Sequence, residues 1–190
     1  LAKIEKAIQK RADIVVMIQG DEPMVFPQMI DSAVNALIKD SNILVANLME
    51  PIETREEHND PNEIKVVVDQ KDYALYFSRE PIPTPKKTDQ FPMHKQVCII
   101  PYRRNFLYQF NRLKPTPLEI AESIDMLRVL EHGYKVKMVR SPIQTYSVDT
   151  PEDLRDVQKV MKRDPLYQKY PAPRKTQKKA SRLMAGVSGA

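Results

Sequence analysis

Five apolar side chains in a row, Ile14, Val15, Val16, Met17 and Ile18, run straight into Gln19, Gly20, Asp21, Glu22 and Pro23. A short unbroken apolar run bounded by turn residues reads as a strand buried on both faces. Residues 1–12 instead place Leu1, Ile4, Ala7 and Ile8 at helical spacing, and Pro27 opens a helix whose stripe is Ile30, Ala33, Val34, Leu37 and Ile38. Strand-like runs return at 43–49, 64–68 and 73–78, the last leading into EPIPTP, and again at 97–102 and 135–139. Helical spacing marks 104–111, 117–131 (closed by Gly133) and 151–162. Strands this apolar, alternating with helices, predict an α/β domain with a mostly parallel sheet. There are no internal repeats.

In such sheets ligands sit beyond the carboxyl ends of the strands, on loops that carry polar groups off an apolar scaffold. Gln19, Gly20, Asp21 and Glu22 occupy that position after the first strand. Glycine lets the backbone turn closely, and carboxylates are hard oxygen donors suited to Mg²⁺. The competing reading is a polar loop that leads into the helix at Pro27. A second acidic stretch, VDTPEDL at 148–154, has the layout of a helix start: Thr150 as cap, Pro151 in the first turn and Asp153 where a capping box takes an acid. Asp149, just before the cap, is left without a structural task.

Composition narrows the class. The chain has 190 residues, 42% of them hydrophobic, enough for one domain with a substantial core. A single cysteine, Cys98, excludes an internal disulfide and a multi-cysteine zinc site and points to a reducing, cytoplasmic setting. No run is long enough to span a bilayer. The net charge of +5 is uneven: eight Lys/Arg against one acid lie in residues 162–190, so the body is slightly acidic. A basic, Pro-containing tail without interleaved aromatics reads as a solvated, disordered extension, and nucleic acid is not expected as a partner. The expected division is a domain over 1–161 and a tail over 162–190. Cys98 reads as a small buried apolar residue, and His58, His94 and His132 as solvated surface.

QGDEP at 19–23, DPNEIKVV at 60–67, ALYFSREPIP at 74–83, PLEIAESIDMLRVLEHG at 117–133 and VDTPEDL at 148–154 follow one another as in a single family. The chain resembles the 3-deoxy-manno-octulosonate (Kdo) cytidylyltransferases, the CMP-Kdo synthetases, over about residues 1–161. The resemblance implies a three-layer, Rossmann-like nucleotide-sugar transferase fold. It also implies transfer of CMP from CTP to Kdo or a related 2-keto-3-deoxy sugar acid, with release of pyrophosphate, for lipopolysaccharide or capsule precursors. Asp21 and Asp149 then become the catalytic pair that holds Mg²⁺. Gln19 is implied near the sugar and Arg79 at the sugar carboxylate, a task for a planar guanidinium; an ordinary surface ion pair is the alternative for Arg79. Lys65 is a ligand-facing cation or an edge-strand lysine, and Asn62 fixes its loop or touches substrate. The family assembles as homodimers through the region of the FSR strand.

Departures bear on the sugar. KQVCIIPYRR at 95–104 puts Gln96, Cys98 and Ile100 where the family commonly has His, Gly and Tyr. Asp125 and Met126 stand where it has Glu and Gln. Two or three polar sugar contacts, those at Gln96 and Asp125 among them, are thus shortened or lost, which leaves a related 2-keto-3-deoxy acid or a modified octulosonate beside Kdo as the expected sugar. The family's N-terminal strand and basic glycine-containing loop, which grip CTP, have no counterpart before Leu1. An N-terminally truncated enzyme portion, inactive by itself, is therefore expected, with a non-catalytic sugar-nucleotide-binding or partner module as the alternative.

Overall fold

The computed structural model describes residues 11–86 and 93–169. The helix expected over residues 1–12 therefore falls almost wholly outside the described residues, as does the tail beyond 169. The strands are β1 (Ile14–Ile18), β2 (Ala46–Pro51), β3 (Lys65–Val68), β4 (Ala74–Ser78), β5 (His94–Val97), β6 (Ile99–Arg103) and β7 (Lys137–Arg140). The helices are α1 (Pro27–Lys39), α2 (Arg55–Asn59), α3 (Arg104–Phe110), α4 (Pro117–Glu122), α5 (Met126–Glu131), α6 (Pro151–Met161) and α7 (Pro165–Lys169).

The α/β class holds, but the sheet is mixed rather than mostly parallel. Five strands run in the order β4-β3-β5-β2-β7, and β1 pairs with β6 in a second, two-stranded sheet. Among these pairings only β2 with β7 is parallel. The physical reason lies in the connections. Between β3 and β4 there is no crossover helix but a tight turn, where Asp69 Oδ1 accepts the N–H groups of Lys71 and Tyr73 (2.8 Å each) and Asp72 takes a left-handed φ of 54°. A turn that short can join only antiparallel neighbours. Cys98 likewise separates β5 from β6 by one residue, so one extended segment serves both sheets. The bridge between Val45 and Tyr102 then brings β6 alongside the start of β2.

Helix α1 begins at Pro27 as expected, but its buried stripe is Met29, Ala33 and Leu37, all 0% exposed, while Ile38 is 66% exposed. Met29 takes the place expected of Ile30, a rotation within the helical period. The helix expected over 117–131 is broken in two. Ser123, at φ 55°, ends α4, and the chain folds back so that Glu131 Oε2 of α5 accepts the N–H groups of Leu118 and Glu119. Arg128 closes the pair through Glu119. Ile124, Met126, Leu127 and Val129 enter the main core, whereas Leu118 and Ile120 stay exposed.

Beyond the boundary expected at 161, α7 starts from Asp164, whose Oδ1 accepts the N–H groups of Leu166 (2.6 Å) and Tyr167 (3.3 Å). Two histidines are buried rather than solvated. His58 is 1% exposed with Nε2 3.1 Å from the Ile82 carbonyl, and His94, 3% exposed, has Nε2 2.8 Å from Arg140 Nη1. Since arginine can only donate, His94 accepts there. Burial, with the neighbouring guanidinium, holds its pKa below the ordinary histidine value.

Candidate active site

The loop after β1 is pinned to the point where β5 becomes β6. Gln19 N–H donates to the Cys98 carbonyl (3.3 Å), and the Cys98 N–H donates to Glu22 Oε1 (3.3 Å). The next residues of the loop meet the chain that enters α6: Val148 N–H donates to the Asp21 carbonyl (2.9 Å). Asp149 sits one residue beyond that contact. Its own neighbourhood is a helix start, with Thr150 Oγ1 accepting the Asp153 N–H (3.2 Å) and Asp153 Oδ2 accepting from Thr150 (2.7 Å) and Asp149 (3.1 Å). Asp153 is thus committed to capping, and among the described residues the Asp149 carboxylate accepts only the Ser147 hydroxyl (3.2 Å).

Gln19, Asp21, Arg79, Gln96 and Asp149 line one cavity of about 110 Å³, together with Glu22 and Cys98. It opens beside a larger one of about 420 Å³, which shares Asn62, Glu63, Lys95, Thr145, Ser147 and Asp149. Of the two cationic side chains on the smaller cavity, Lys95 is spoken for. It is 8% exposed and lies 2.7 Å from Glu57 and 3.0 Å from Glu63. Burial works against its ammonium, yet the bond to Glu57 and the charge of Glu63 outweigh it and raise its pKa. Arg79 donates from Nε to the Glu122 carbonyl (2.8 Å) and from Nη1 to the Pro61 carbonyl (2.9 Å), and forms no ion pair among the described residues. Those carbonyls orient the guanidinium, and the Glu122 carboxylate lies close by, its Oε2 accepting the Arg79 backbone N–H (2.9 Å).

Two of the expected site residues lie elsewhere. Lys65 is neither ligand-facing nor on an edge: β3 lies between β4 and β5, the side chain is 0% exposed, and Nζ donates to the carbonyls of Asp60 (2.7 Å) and Arg79. It clamps the loop before β3 to the end of β4. Lys65→Met is expected to lower stability by about 1–3 kcal/mol, since two part-buried carbonyls lose a charged donor, and urea denaturation measures it. Asp125 stands just before α5 and does not line the cavity, although its charge reaches Cys98. Gln96 does line it, but its amide nitrogen donates to Asn47 Oδ1 (2.5 Å).

Sequence reading passed over the buried polar floor. Glu22 is 9% exposed, and burial, only partly offset by the Cys98 N–H and helped by the charges of Glu50 and Asp21, pushes its pKa up to about 6. Glu50, 1% exposed, is raised by burial against the hydrogen bond that Thr145 N–H donates to its Oε1 (2.9 Å). Cys98 is pushed up to about 12 by burial and then by Glu22, Asp21, Asp125 and Asp149, so it is a neutral thiol. Three of these carboxylates, Glu22, Asp21 and Asp149, line the cavity with Cys98. Only the adjacency of Glu22 to Asp21 signalled this in the sequence.

Among the described residues no group of three or more His, Cys, Asp or Glu could hold a metal ion. Asp21 and Asp149 are exposed at the cavity and make no ion pair there. Two hard oxygen donors without a cation fit Mg²⁺, which keeps water and substrate phosphate oxygens as its other ligands.

The structure is thus an α/β domain with a polar cavity lined by Asp21, Asp149 and Arg79, the arrangement of a ligand-binding site. The chain belongs to the cytidylyltransferase family, whose model matches residues 2–140, a segment that ends before Asp149. A 3-deoxy-manno-octulosonate cytidylyltransferase from Geotalea uraniireducens (strain Rf4) is 41% identical over 84% of this chain and 68% of its own length. One from Syntrophobacter fumaroxidans (strain DSM 10017 / MPOB) is 45% identical over 80% of this chain and 62% of its own. The structure of CMP:2-keto-3-deoxy-manno-octonic acid synthetase complexed with CTP matches with a TM-score of 0.75 at 34% identity, covering 85% of this chain and 66% of that one. The chain spans about two thirds of the length of the curated relatives it matches.

Proposed function

We propose that this chain forms the sugar- and metal-binding part of a cytidylyltransferase that moves CMP from CTP to Kdo or a closely related 2-keto-3-deoxy sugar acid. The anomeric hydroxyl of the sugar attacks the α-phosphorus, the new bond is that of the CMP-sugar, and pyrophosphate leaves with the electrons of the broken phosphoanhydride. The observation that supports this reading best is the joining of Asp21 and Asp149, far apart in sequence, on one cavity through the Val148 N–H to Asp21 carbonyl bond. Those two carboxylates hold Mg²⁺, which when bound neutralises phosphate charge and lowers the pKa of the attacking hydroxyl. Arg79 receives the sugar carboxylate, and Gln19 orients the hydroxyls nearby. The group of Lys95 with the half-buried Glu57 and Glu63 keeps the cavity wall fixed and adds no free cation that would compete for phosphate.

The product serves lipopolysaccharide or capsule synthesis in the cytoplasm. The protein works as a homodimer joined near β4, where Leu75 is 62% exposed. No helix among the described residues is long and apolar enough to cross a membrane. Pyrophosphate release from CTP, Mg²⁺ and a panel of 2-keto sugar acids, compared between this chain and a chain completed to the length of its relatives, tests the assignment. Turnover by the completed chain is expected. Silence from a folded, completed chain with every sugar acid leaves the alternative, a binding or partner module without catalysis.

A further inference from the structure

Glu22 is the cavity residue that the metal pair and the sugar-carboxylate reading do not use. It lines the cavity, yet only 9% of it is exposed. Its Oε1 accepts the Cys98 N–H, the amide between β5 and β6, and that bond fixes the direction of the carboxylate. Its Oε2 is buried and has no hydrogen-bond partner among the described residues. Buried carboxylate oxygens are seldom left without a donor, because they have given up water for nothing in return.

Several side-chain donors on the cavity are already committed elsewhere. Lys95 is held by Glu57 and Glu63, and the Gln96 amide donates to Asn47. Arg79 spends Nε and Nη1 on the carbonyls of Glu122 and Pro61. Glu50 also has a buried oxygen without a partner, but Glu50 does not line the cavity, so a ligand there meets Glu22 and not Glu50. A ligand hydroxyl donates one hydrogen bond and carries no charge, which suits this oxygen. A phosphate oxygen, an acceptor bearing the same sign of charge, is turned away.

We infer that Glu22 is a specificity-determining residue whose Oε2 accepts a hydrogen bond from a hydroxyl of the sugar acid bound in this cavity. The inference rests on the proposed function for the nature of the ligand. It also gives the loop after β1 a division of labour: Asp21 faces the metal, and Glu22 reads the acceptor.

Calorimetric titration of Kdo, and of analogues that each lack one hydroxyl, into the chain completed to the length of its relatives tests this with Mg²⁺ present. Glu22→Gln is expected to weaken Kdo binding about 10- to 100-fold, as for loss of a hydrogen bond to a charged acceptor. One deoxy analogue should bind the parent as weakly as Kdo binds the variant, and the variant should no longer tell the two apart. Glu22→Asp, which keeps the charge on a shorter arm, should fall between and serves as the second variant if Glu22→Gln does not fold. Unchanged Kdo affinity in a folded variant, with every analogue still discriminated, overturns the inference alone and assigns the Glu22 oxygen to a proton or water shared with Glu50. A parent that binds no 2-keto sugar acid overturns the proposed function and this inference with it.

Discussion

Asp21→Ala and Asp149→Ala are each expected to cut pyrophosphate release by about 10³-fold or more in the completed chain, equivalent to roughly 4 kcal/mol of barrier, while leaving the melting temperature nearly unchanged. The separation of the two effects follows from the surroundings of the carboxylates. Both are exposed, neither makes an ion pair among the described residues, and Asp149 has only the Ser147 hydroxyl as a partner. Surface groups of this kind contribute within about 0.5 kcal/mol to stability. Their proposed work is to hold one cation between them, so the double variant should be little worse than either single one, because groups acting as a unit do not add. Steady-state rates at several Mg²⁺ concentrations, with thermal melts alongside, check all three points. A single variant that keeps activity within tenfold of the parent would show that the pair does not hold a metal the reaction needs.

Lys95→Met is expected to do the opposite, acting first on stability. Lys95 lies buried between Glu57 and Glu63, and its removal leaves both carboxylates without their cation, at a cost of about 3–5 kcal/mol near neutral pH and roughly 10 °C in melting temperature. The loss should depend on pH in a defined direction. Burial already raises the pKa of Glu63 from 4.5, with Lys95 pulling it down. Without that ammonium the folded-state value rises further above the unfolded one. A group whose folded pKa is raised carries no penalty below its unfolded pKa and acquires one as pH climbs through the folded value. The gap between parent and variant is therefore narrow near pH 4.5 and wide at pH 7–8. Replacing Glu57 and Glu63 by Gln in the same variant should restore much of the stability, since no uncompensated charge remains. Urea denaturation at three pH values checks the slope.

The same buried network explains where the sequence could be read and where it could not. The apolar run of β1, the proline-opened α1 and the capped start of α6 are local signals, and each forms where its pattern puts it, although β1, expected to be buried on both faces, is only half-buried, with Ile18 41% exposed. Five motifs in order likewise carried the family. By contrast the apolar pattern predicts a strand only from Val97, whereas β5 starts at His94, because His94, Lys95 and Gln96 are polar and break the apolar run. They are buried only because Arg140, Glu57 with Glu63, and Asn47 wait for them across the fold.

Lys65 shows the same dependence. As a lone charge in IKVVV it invites a functional or edge reading, and only the approach of the Asp60 and Arg79 carbonyls turns it into a clamp. The break at Ser123 was invisible too, since helical spacing continues through it and the fold-back is set by Arg128 and Glu131 reaching α4. What the sequence determined by itself was the α/β class and the family, which rest on patterns and motifs that are each a short run of the chain. Strand direction, the exclusion of Lys65 and Asp125 from the cavity, and the orphaned oxygen of Glu22 were decided only in three dimensions, because a buried polar group takes its meaning from the partner that distant segments bring to it.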